Sequence, residues 1–439
     1  MVKKISVLVF LIVYSIAFSQ NNLRKKLGSY IDSLTVHHKV MGSFAIATQD
    51  KVDFVKVTGF ADVENKQKAN MNTQYRIGSI SKTFTAVLIM KAIEEKKLSI
   101  NTKLSVFYPE IENADKISIE QLLQHRSGVH SLTDENEYWS YNTLPQTEKS
   151  LLDIIKKYKS DFSPGSKFAY SNSNYILLGF ILEKIYKKPY AEIVQERIAK
   201  PLNLMLTRVG DKIDVSKNQA NSYQYANSNY TKWQETDMSI PIGAGNIIST
   251  PTELLQFIIA LENGKLIKKS SLKQMQKFVD DYGYGITKVP FNKYWGYGHN
   301  GGIDQFSSAL YYFPDLKSGI SFITNQSDYD NNQLSINMMS TVINKDFKIA
   351  NFKKVEIDAT ILKKYEGIYK TNDFPLDLKI FIENGELKGQ ATGQSAFILD
   401  AVSETEFKFD RANIKMQFDS DKKTMNFTQG ANNFVFQKQ

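Results

Sequence analysis

The 439-residue chain contains no cysteine. Disulfides, thiolate metal sites, a cysteine nucleophile and a lipid-modified N-terminal cysteine are therefore excluded. A dense basic block is also missing. The net charge of +9 is spread thinly over many lysines, a mild attraction for anions and weak grounds for a nucleic-acid partner. No zinc-finger spacing, recognition-helix signature or aromatic-basic RNA motif occurs, so no nucleic-acid partner is expected. With 42% hydrophobic and 23% charged residues, the composition fits neither a disordered chain nor a multi-span membrane protein. The length calls for two or three domains.

What is present begins with "MVKKISVLVFLIVYSIAFSQ". Lys3 and Lys4 precede an apolar stretch from Ile5 to Phe18, and Ala17 and Ser19 fall at the minus-three and minus-one positions if cleavage precedes Gln20. This reads as a secretory signal peptide over 1–19, too short for a comfortable spanning helix, with an uncleaved anchor as the alternative. The mature protein is expected to be exported, to the periplasm or beyond, with no stable membrane span. Losing the two lysines leaves a net charge of 9 − 2 = +7.

Residues 20–345 read as one α+β domain. A first helix is expected over Asn21–Val36, and "GSFAIATQDKVDFVKVTGFAD" alternates around a polar break as a β-hairpin. Helices follow at Ser79–Lys96, Ser118–Gln124, Glu148–Tyr158, Ser173–Ile185, Ala191–Lys200 (stopped by Pro201) and after the Ser249/Thr250 cap. From Tyr297 the pattern turns to strands, and a last helix spans Asn332–Ile343. This order implies an antiparallel sheet of early and late strands, flanked by helices, with a helical lobe inserted. A polar link, 346–364, leads to short alternating segments over 365–439, a small all-β barrel or sandwich.

Three short motifs carry the chemistry. Ser79 and Lys82 stand three apart in "RIGSISKTFTA", one helical turn on one face. A serine hydroxyl needs a base, and a lysine in an apolar helix has its pKa lowered toward usefulness. Ser79 could equally be a helix cap, and Ser-x-x-Lys alone is a weak signal. "FAYSNSNYILLG" places Tyr170 and Asn172 at the entry of another apolar helix, a phenol to relay a proton and an amide to orient the lysine and a substrate amide. "YWGYGHNGGIDQF" puts His299, Gly301 and Gly302 at a strand edge where a substrate backbone could lie, with the Gly302 N–H joining that of Ser79 in an oxyanion hole. No cofactor or metal is called for.

In this order the motifs resemble the serine β-lactamase and penicillin-binding protein superfamily. The similarity is to the branch of class C β-lactamases, D-alanyl-D-alanine carboxypeptidases and related esterases. It runs over about Leu27–Ile343 through "ISIEQLLQHRSGV", "FSPGSKFAYSNSNYILLG" and "GAGNIISTPTELLQF", and leaves the β appendage outside. The resemblance implies a β-lactamase/transpeptidase-like fold. Ser79 would form an acyl-enzyme, Lys82 and Tyr170 would act as a coupled proton relay, Asn172 would orient Lys82, and His299, Gly301 and Gly302 would shape the substrate edge. The "HRSG" at His125–Gly128 suggests a Ser-His pairing, but in the family that these motifs resemble this block is a structural turn, and that reading is preferred.

The third motif is His-Asn-Gly where β-lactamases of this branch usually carry Lys-Thr-Gly. Histidine has a reference pKa of about 6.5 against about 10.4 for lysine, so its hold on a substrate carboxylate is weaker. His-x-Gly resembles the carboxypeptidase, aminopeptidase and esterase members, so an exported D-amino-acid peptidase or esterase is expected ahead of a β-lactamase, and activity on anionic substrates should fall as pH rises through the His299 pKa. A catalytically weak module that binds cell-wall peptides is the other alternative. Loops at Leu132–Glu148 and Asn221–Ile240 carry Tyr138, Trp139, Tyr141, Tyr223, Tyr225, Tyr230 and Trp233, which either line the cleft or cover the core.

Overall fold

The computed structural model describes residues 22–226, 228–349, 352, 355–430 and 432–439. The expected signal peptide, 1–19, lies outside the described residues. The chain divides into two compact units. The first runs through Ser327 and takes in Ser335–Phe347; the second is Asp328–Leu334 with Lys348–Gln439.

The helices are α1 (22–36), α2 (Ser81–Glu94), α3 (Ile119–Leu123), α4 (Tyr138–Tyr141), α5 (Glu148–Lys157), α6 (Asn172–Tyr186), α7 (Tyr190–Val194), α8 (Pro251–Glu262), α9 (Lys269–Met275), α10 (Asn331–Val342) and α11 (Ala359–Tyr365). The first unit is built on a six-stranded antiparallel sheet of β1 (Val40–Thr48), β2 (Lys51–Thr58), β3 (Thr287–Phe291), β4 (Tyr294–Ile303), β5 (Phe306–Phe313) and β6 (Ser318–Ser327). Their spatial order is β3-β4-β5-β6-β1-β2, so early and late strands do pair, with Phe44 opposite Phe322 and Ala45 opposite Ser321. β1 lies mid-sheet and is buried almost end to end, whereas β2, at the edge, alternates exposed with half-buried residues.

Between β2 and β3 the chain forms the helical lobe and α8. Helix α2 is largely apolar and buried without a break from Ser81 to Met90, Lys82 included, which fits a helix through the core rather than one on its surface. Phe84 of α2 stacks on Phe257 of α8 at 3.8 Å between ring centroids. Thr250 alone caps α8, accepting from Glu253 N, with Pro251 as its first helical residue. The expected helix over Ala191–Lys200 is α7 followed by a π-turn, Gln195–Ala199, and a 3₁₀ turn, Lys200–Leu202. Pro201 cannot donate the bond that would keep those last turns α-helical.

Strand structure starts ten residues earlier than the pattern at Tyr297 suggests, at Thr287. Pro290 obscures β3 in the sequence, yet a proline is tolerated there because β3 is an edge strand.

The second unit is a nine-stranded antiparallel sheet. Its strands are β7 (Gly367–Lys370), β8 (Leu378–Glu383), β9 (Glu386–Ala391), β10 (Phe397–Ile398), β11 (Asp400–Ala401), β12 (Glu406–Phe409), β13 (Ile414–Asp419), β14 (Thr424–Gln429) and β15 (Asn432–Lys438). The order is β10-β9-β8-β7-β15-β14-β13-β12-β11. The two end strands, β10 and β11, are separated in sequence by Leu399 alone, so the sheet has to curl until its edges meet, which gives a barrel-like form. α11 falls at the end of the stretch expected as a link. Its Leu362 and Tyr365 are buried with Phe407 and Phe418 in the barrel's own core, and Asp358 caps it.

Candidate active site

Ser79 does not cap α2. It sits in a 3₁₀ turn, Gly78–Ile80, that runs into the helix, and neither turn nor helix has a side-chain cap. The Ser79 hydroxyl is thus free for Lys82, one turn on and fully buried. Lys82 Nζ lies 3.0 Å from Ser79 Oγ, 2.8 Å from Asn172 Oδ1 and 2.9 Å from the Ala244 carbonyl. Burial holds this amine well below the ordinary lysine value. A neutral amine has two hydrogens and a lone pair. Two of these partners, Asn172 Oδ1 and Ala244 O, can only accept, so in the neutral state the lone pair is directed at the Ser79 hydroxyl.

Each partner is held in turn. Asn172 Nδ2 donates to Thr133 Oγ1 at 2.8 Å, which fixes the amide with its oxygen toward Lys82. Its backbone N–H donates to Ser131 Oγ at 3.1 Å. Ala244 lies in the Pro241–Asn246 turn. That turn meets α6 closely at Gly179 and is tied to α2 by Thr85 Oγ1, which donates to Gly243 O at 2.6 Å. The sequence motif "GAGNIIST" contains this carbonyl, but a backbone acceptor leaves no residue-type signal.

Tyr170 closes the other side. Lys82 Nζ is 4.8 Å from the Tyr170 ring centroid, and the Tyr170 phenol lies next to the Ser79 hydroxyl. The ring as a whole is 36% exposed, but desolvation around the phenol raises its pKa, with Ser79 pulling the other way. Tyr170 therefore keeps its proton at neutral pH.

The edge of β4 faces Ser79. β4 and β5 are joined by the two-residue turn Asp304-Gln305, with Ile303 opposite Phe306. In such a hairpin the closing pair is hydrogen-bonded and the outward direction alternates from there, so Gly302 and Asn300 turn N–H and C=O away from β5. β3 ends its pairing at Gly298, which leaves this edge open. Gly78 occupies it: a Cβ on Gly78 would lie 2.8 Å from both Gly302 N and Gly302 O. A Cβ on Gly301 would meet the Ile77 carbonyl and come within 3.0 Å of Ser79 N. Arg76, buried, anchors the same hairpin. It donates to Asp304 Oδ2 at 2.8 Å, Thr236 O at 2.8 Å, Glu235 Oε2 at 3.0 Å and Asp211 O at 3.1 Å. Arg76 and Asp304 lie within quoted motifs, but their pairing across 228 positions has no local signature.

His299 is buried. Its Nδ1 bonds to Asn300 O and its Nε2 lies 3.0 Å from Tyr282 OH. Burial first, and Lys82 second, push its pKa down to about 3. The expected fall of activity as pH rises through this group is therefore corrected: His299 is neutral throughout the physiological range and supplies no charge there. His125, read as a turn residue, does adopt a left-handed turn conformation, with φ of 54°. It is also fully buried beside Tyr170, at 4.2 Å between ring centroids.

The loop aromatics divide. Tyr223, Tyr225 and Tyr230 gather around His38 and Val63: Tyr225 stacks on His38 at 4.3 Å, Tyr230 OH bonds His38 Nδ1 at 2.8 Å, and Tyr223 OH accepts from Val63 N at 2.9 Å. They cover the core. Trp233 lines a cavity of about 660 Å³ beside Arg76. Tyr138 packs on Trp139 and Tyr141, at 5.5 and 5.7 Å, and Trp139 is exposed.

A family profile described as Beta-lactamase matches residues 30–338. The chain belongs to this beta-lactamase family. Among its curated relatives, Teichoic acid D-alanine hydrolase of Staphylococcus aureus is 28% identical over 272 residues, 61% of this chain and 66% of that protein. The chain thus matches just under two thirds of that relative's length. The D-amino acid amidase from Ochrobactrum anthropi SV3, solved with L-phenylalanine amide, has a TM-score of 0.65 at 21% identity, covering 74% of this chain and 99% of its own. The octameric penicillin-binding protein homologue from Pyrococcus abyssi also reaches 0.65, at 22% identity, over 94% of this chain and 99% of its own. Likeness at these identities establishes the β-lactamase/transpeptidase-like fold of this family member.

Proposed function

We propose that this beta-lactamase-family protein is an exported serine hydrolase that cleaves a D-aminoacyl amide or ester through an acyl-enzyme on Ser79. The observation that carries the reading is the buried Lys82 amine, 3.0 Å from Ser79 Oγ and fixed by Asn172 and Ala244. As Ser79 Oγ attacks the substrate carbonyl carbon, its proton passes to Lys82. The carbonyl oxygen becomes an oxyanion facing the N–H groups of Ser79 and Gly302. Tyr170, beside Ser79 and Lys82, delivers a proton to the leaving amine or alcohol and recovers one from Lys82. Water then enters by the same relay and releases the acid.

The D-aminoacyl preference draws on the relatives, one named for D-alanine hydrolysis and one for D-amino acid amides. A β-lactamase reading is less well supported, because neutral His299 gives no cation for the lactam carboxylate. Export rests on the leader sequence. Among the described residues no helix is long and apolar enough to cross a membrane.

A fluorophosphonate probe followed by mass mapping tests the nucleophile, and D- and L-alanine p-nitroanilide, p-nitrophenyl acetate and a chromogenic cephalosporin test the substrate class. The expected result is label on Ser79, D- over L-alanine turnover and a poor cephalosporin rate. A folded sample that takes no label, or that prefers the L-anilide, overturns the reading.

A further inference from the structure

A chain of hydrogen bonds runs behind the site, and its direction is fixed at both ends by backbone groups. Ser171 N–H, which can only donate, lies 3.1 Å from His125 Nδ1. That nitrogen is therefore the unprotonated one, and the His125 proton sits on Nε2, 3.2 Å from Tyr282 OH. At the far end Asn300 O can only accept, so the His299 proton sits on Nδ1 and His299 Nε2 carries a lone pair. Tyr282 OH, 3.0 Å away, is the donor to that lone pair. Tyr175 does not compete as a donor, because its own hydroxyl proton goes to Leu123 O at 2.8 Å. Every proton in Ser171–His125–Tyr282–His299–Asn300 is thereby assigned, with one on each imidazole.

We propose that His125 and Tyr282 are positioning residues that clamp the Tyr170–Asn172 segment to the β4 edge, fixing His299 as the neutral Nδ1–H tautomer with neither ring nitrogen left for substrate. The two ends of the chain are functional places. Ser171 lies between Tyr170 and Asn172, and the Tyr170 ring itself rests against His125. Asn300 lies two residues before Gly302, on the edge that faces Gly78 and Ser79. His299 thus stands where related enzymes place a lysine, but it acts by holding the strand rather than by touching the substrate. The other titratable groups facing the chain are Lys82 on α2, Tyr170 before α6 and Tyr175 on α6. Burial and Lys82 both oppose a second proton on either imidazole.

The test uses the full chain with ¹⁵N-labelled histidine. Long-range ¹H–¹⁵N spectra should show His299 as Nδ1–H and His125 as Nε2–H, with neither titrating from pH 5 to 8. Tyr282→Phe, which removes only the linking hydroxyl, should mix the His299 tautomers and lower kcat on p-nitrophenyl acetate about tenfold with KM nearly unchanged, as a misplaced catalytic edge would. A wild-type His299 that carries its proton on Nε2 or titrates in this range overturns the proposal. So does a Tyr282→Phe variant in which either the tautomers or kcat stay as in wild type. The kinetic arm rests on Ser79 as nucleophile. If Ser79 takes no label, that reading fails by itself and the tautomers alone decide the clamp.

Discussion

Lys82 Nζ stands 3.0 Å from Ser79 Oγ, while Asn172 Oδ1 and the Ala244 carbonyl occupy its two remaining directions. The pair is thus a unit, with the amine unable to turn elsewhere. Lys82→Ala should slow acylation by p-nitrophenyl acetate by about 10²–10⁴-fold, the usual worth of a positioned base. The double variant with Ser79→Ala should be no slower than Ser79→Ala alone, since groups that act together are not additive. Burst-phase kinetics on Lys82→Ala and steady-state hydrolysis rates on all three variants check this. A double variant well below Ser79→Ala would mean that Lys82 works elsewhere.

The buried imidazoles make stability depend on pH. In the fold His125 and His299 are held below the ordinary value of about 6.5, burial being the main cause. As pH falls below about 6.5 the unfolded chain takes up protons that the fold refuses, so stability present at neutral pH is lost. The loss approaches about 1.4 kcal/mol per pH unit for each imidazole. His130 acts with the opposite sign: burial lowers its pKa, but Asp161 and Glu135 outweigh this and raise it, and its partial exposure screens the effect. His125→Asn isolates one contribution, because asparagine tolerates the left-handed backbone at 125. Urea unfolding at pH 7, 6 and 5 should show a slope of ΔG against pH that is shallower in the variant by about 1 kcal/mol per unit over this range. Equal slopes would place a second proton on His125 in the fold.

The site's reactive side chains were legible because each comes from a motif in which residue type and spacing carry the chemistry: Ser79 with Lys82, Tyr170 with Asn172, and the His299 strand. The sheet and most helices were legible because burial writes itself as pattern: alternation in β2, an apolar stripe in α5, and a largely apolar run in α2. Three things were not. Ala244 acts through a carbonyl that any residue would supply. β3 is disguised by Pro290, which only an edge strand accepts. His125 stands in a block that the family resemblance marks as a turn, and its φ agrees, whereas its bond to Tyr282 joins positions 157 apart, a separation no local pattern encodes.

Arg76 and Asp304 form a buried pair, with side chains 1% and 3% exposed and 2.8 Å apart. Burial raises the Asp304 pKa, and Arg76 and the Thr236 bonds oppose it. Asp304→Ala leaves the guanidinium to the less buried Glu235 and should cost about 3 kcal/mol of stability, the lower end of what removal of one partner of a buried pair costs. Asp304 also forms the turn that ends β4, so labelling of the remaining folded protein by fluorophosphonate should slow. Calorimetry alongside labelling rates measures both. A Tm within a degree or two of wild type would show the pair to be dispensable.

Gly78 is constrained twice. Its φ of 51° lies in the left-handed region that side-chain-bearing residues rarely adopt. A Cβ there would also lie 2.8 Å from both the N and the O of Gly302, which is backbone and cannot swing aside. Gly78→Ala must either push the β4 edge outward or twist the 3₁₀ turn that carries Ser79. Both movements separate the Ser79 and Gly302 N–H groups, while the Lys82–Asn172 contact, on the other side of Ser79, is left in place. The variant should therefore keep a reactive serine but lose oxyanion stabilisation, with kcat on p-nitrophenyl acetate lower by about 10²–10³-fold. A fluorophosphonate, whose phosphoryl oxygen needs the same two donors, should label more slowly in proportion. If Gly78→Ala labels and turns over at wild-type rates, the Gly302 N–H is not part of the site and the oxyanion has to be held elsewhere.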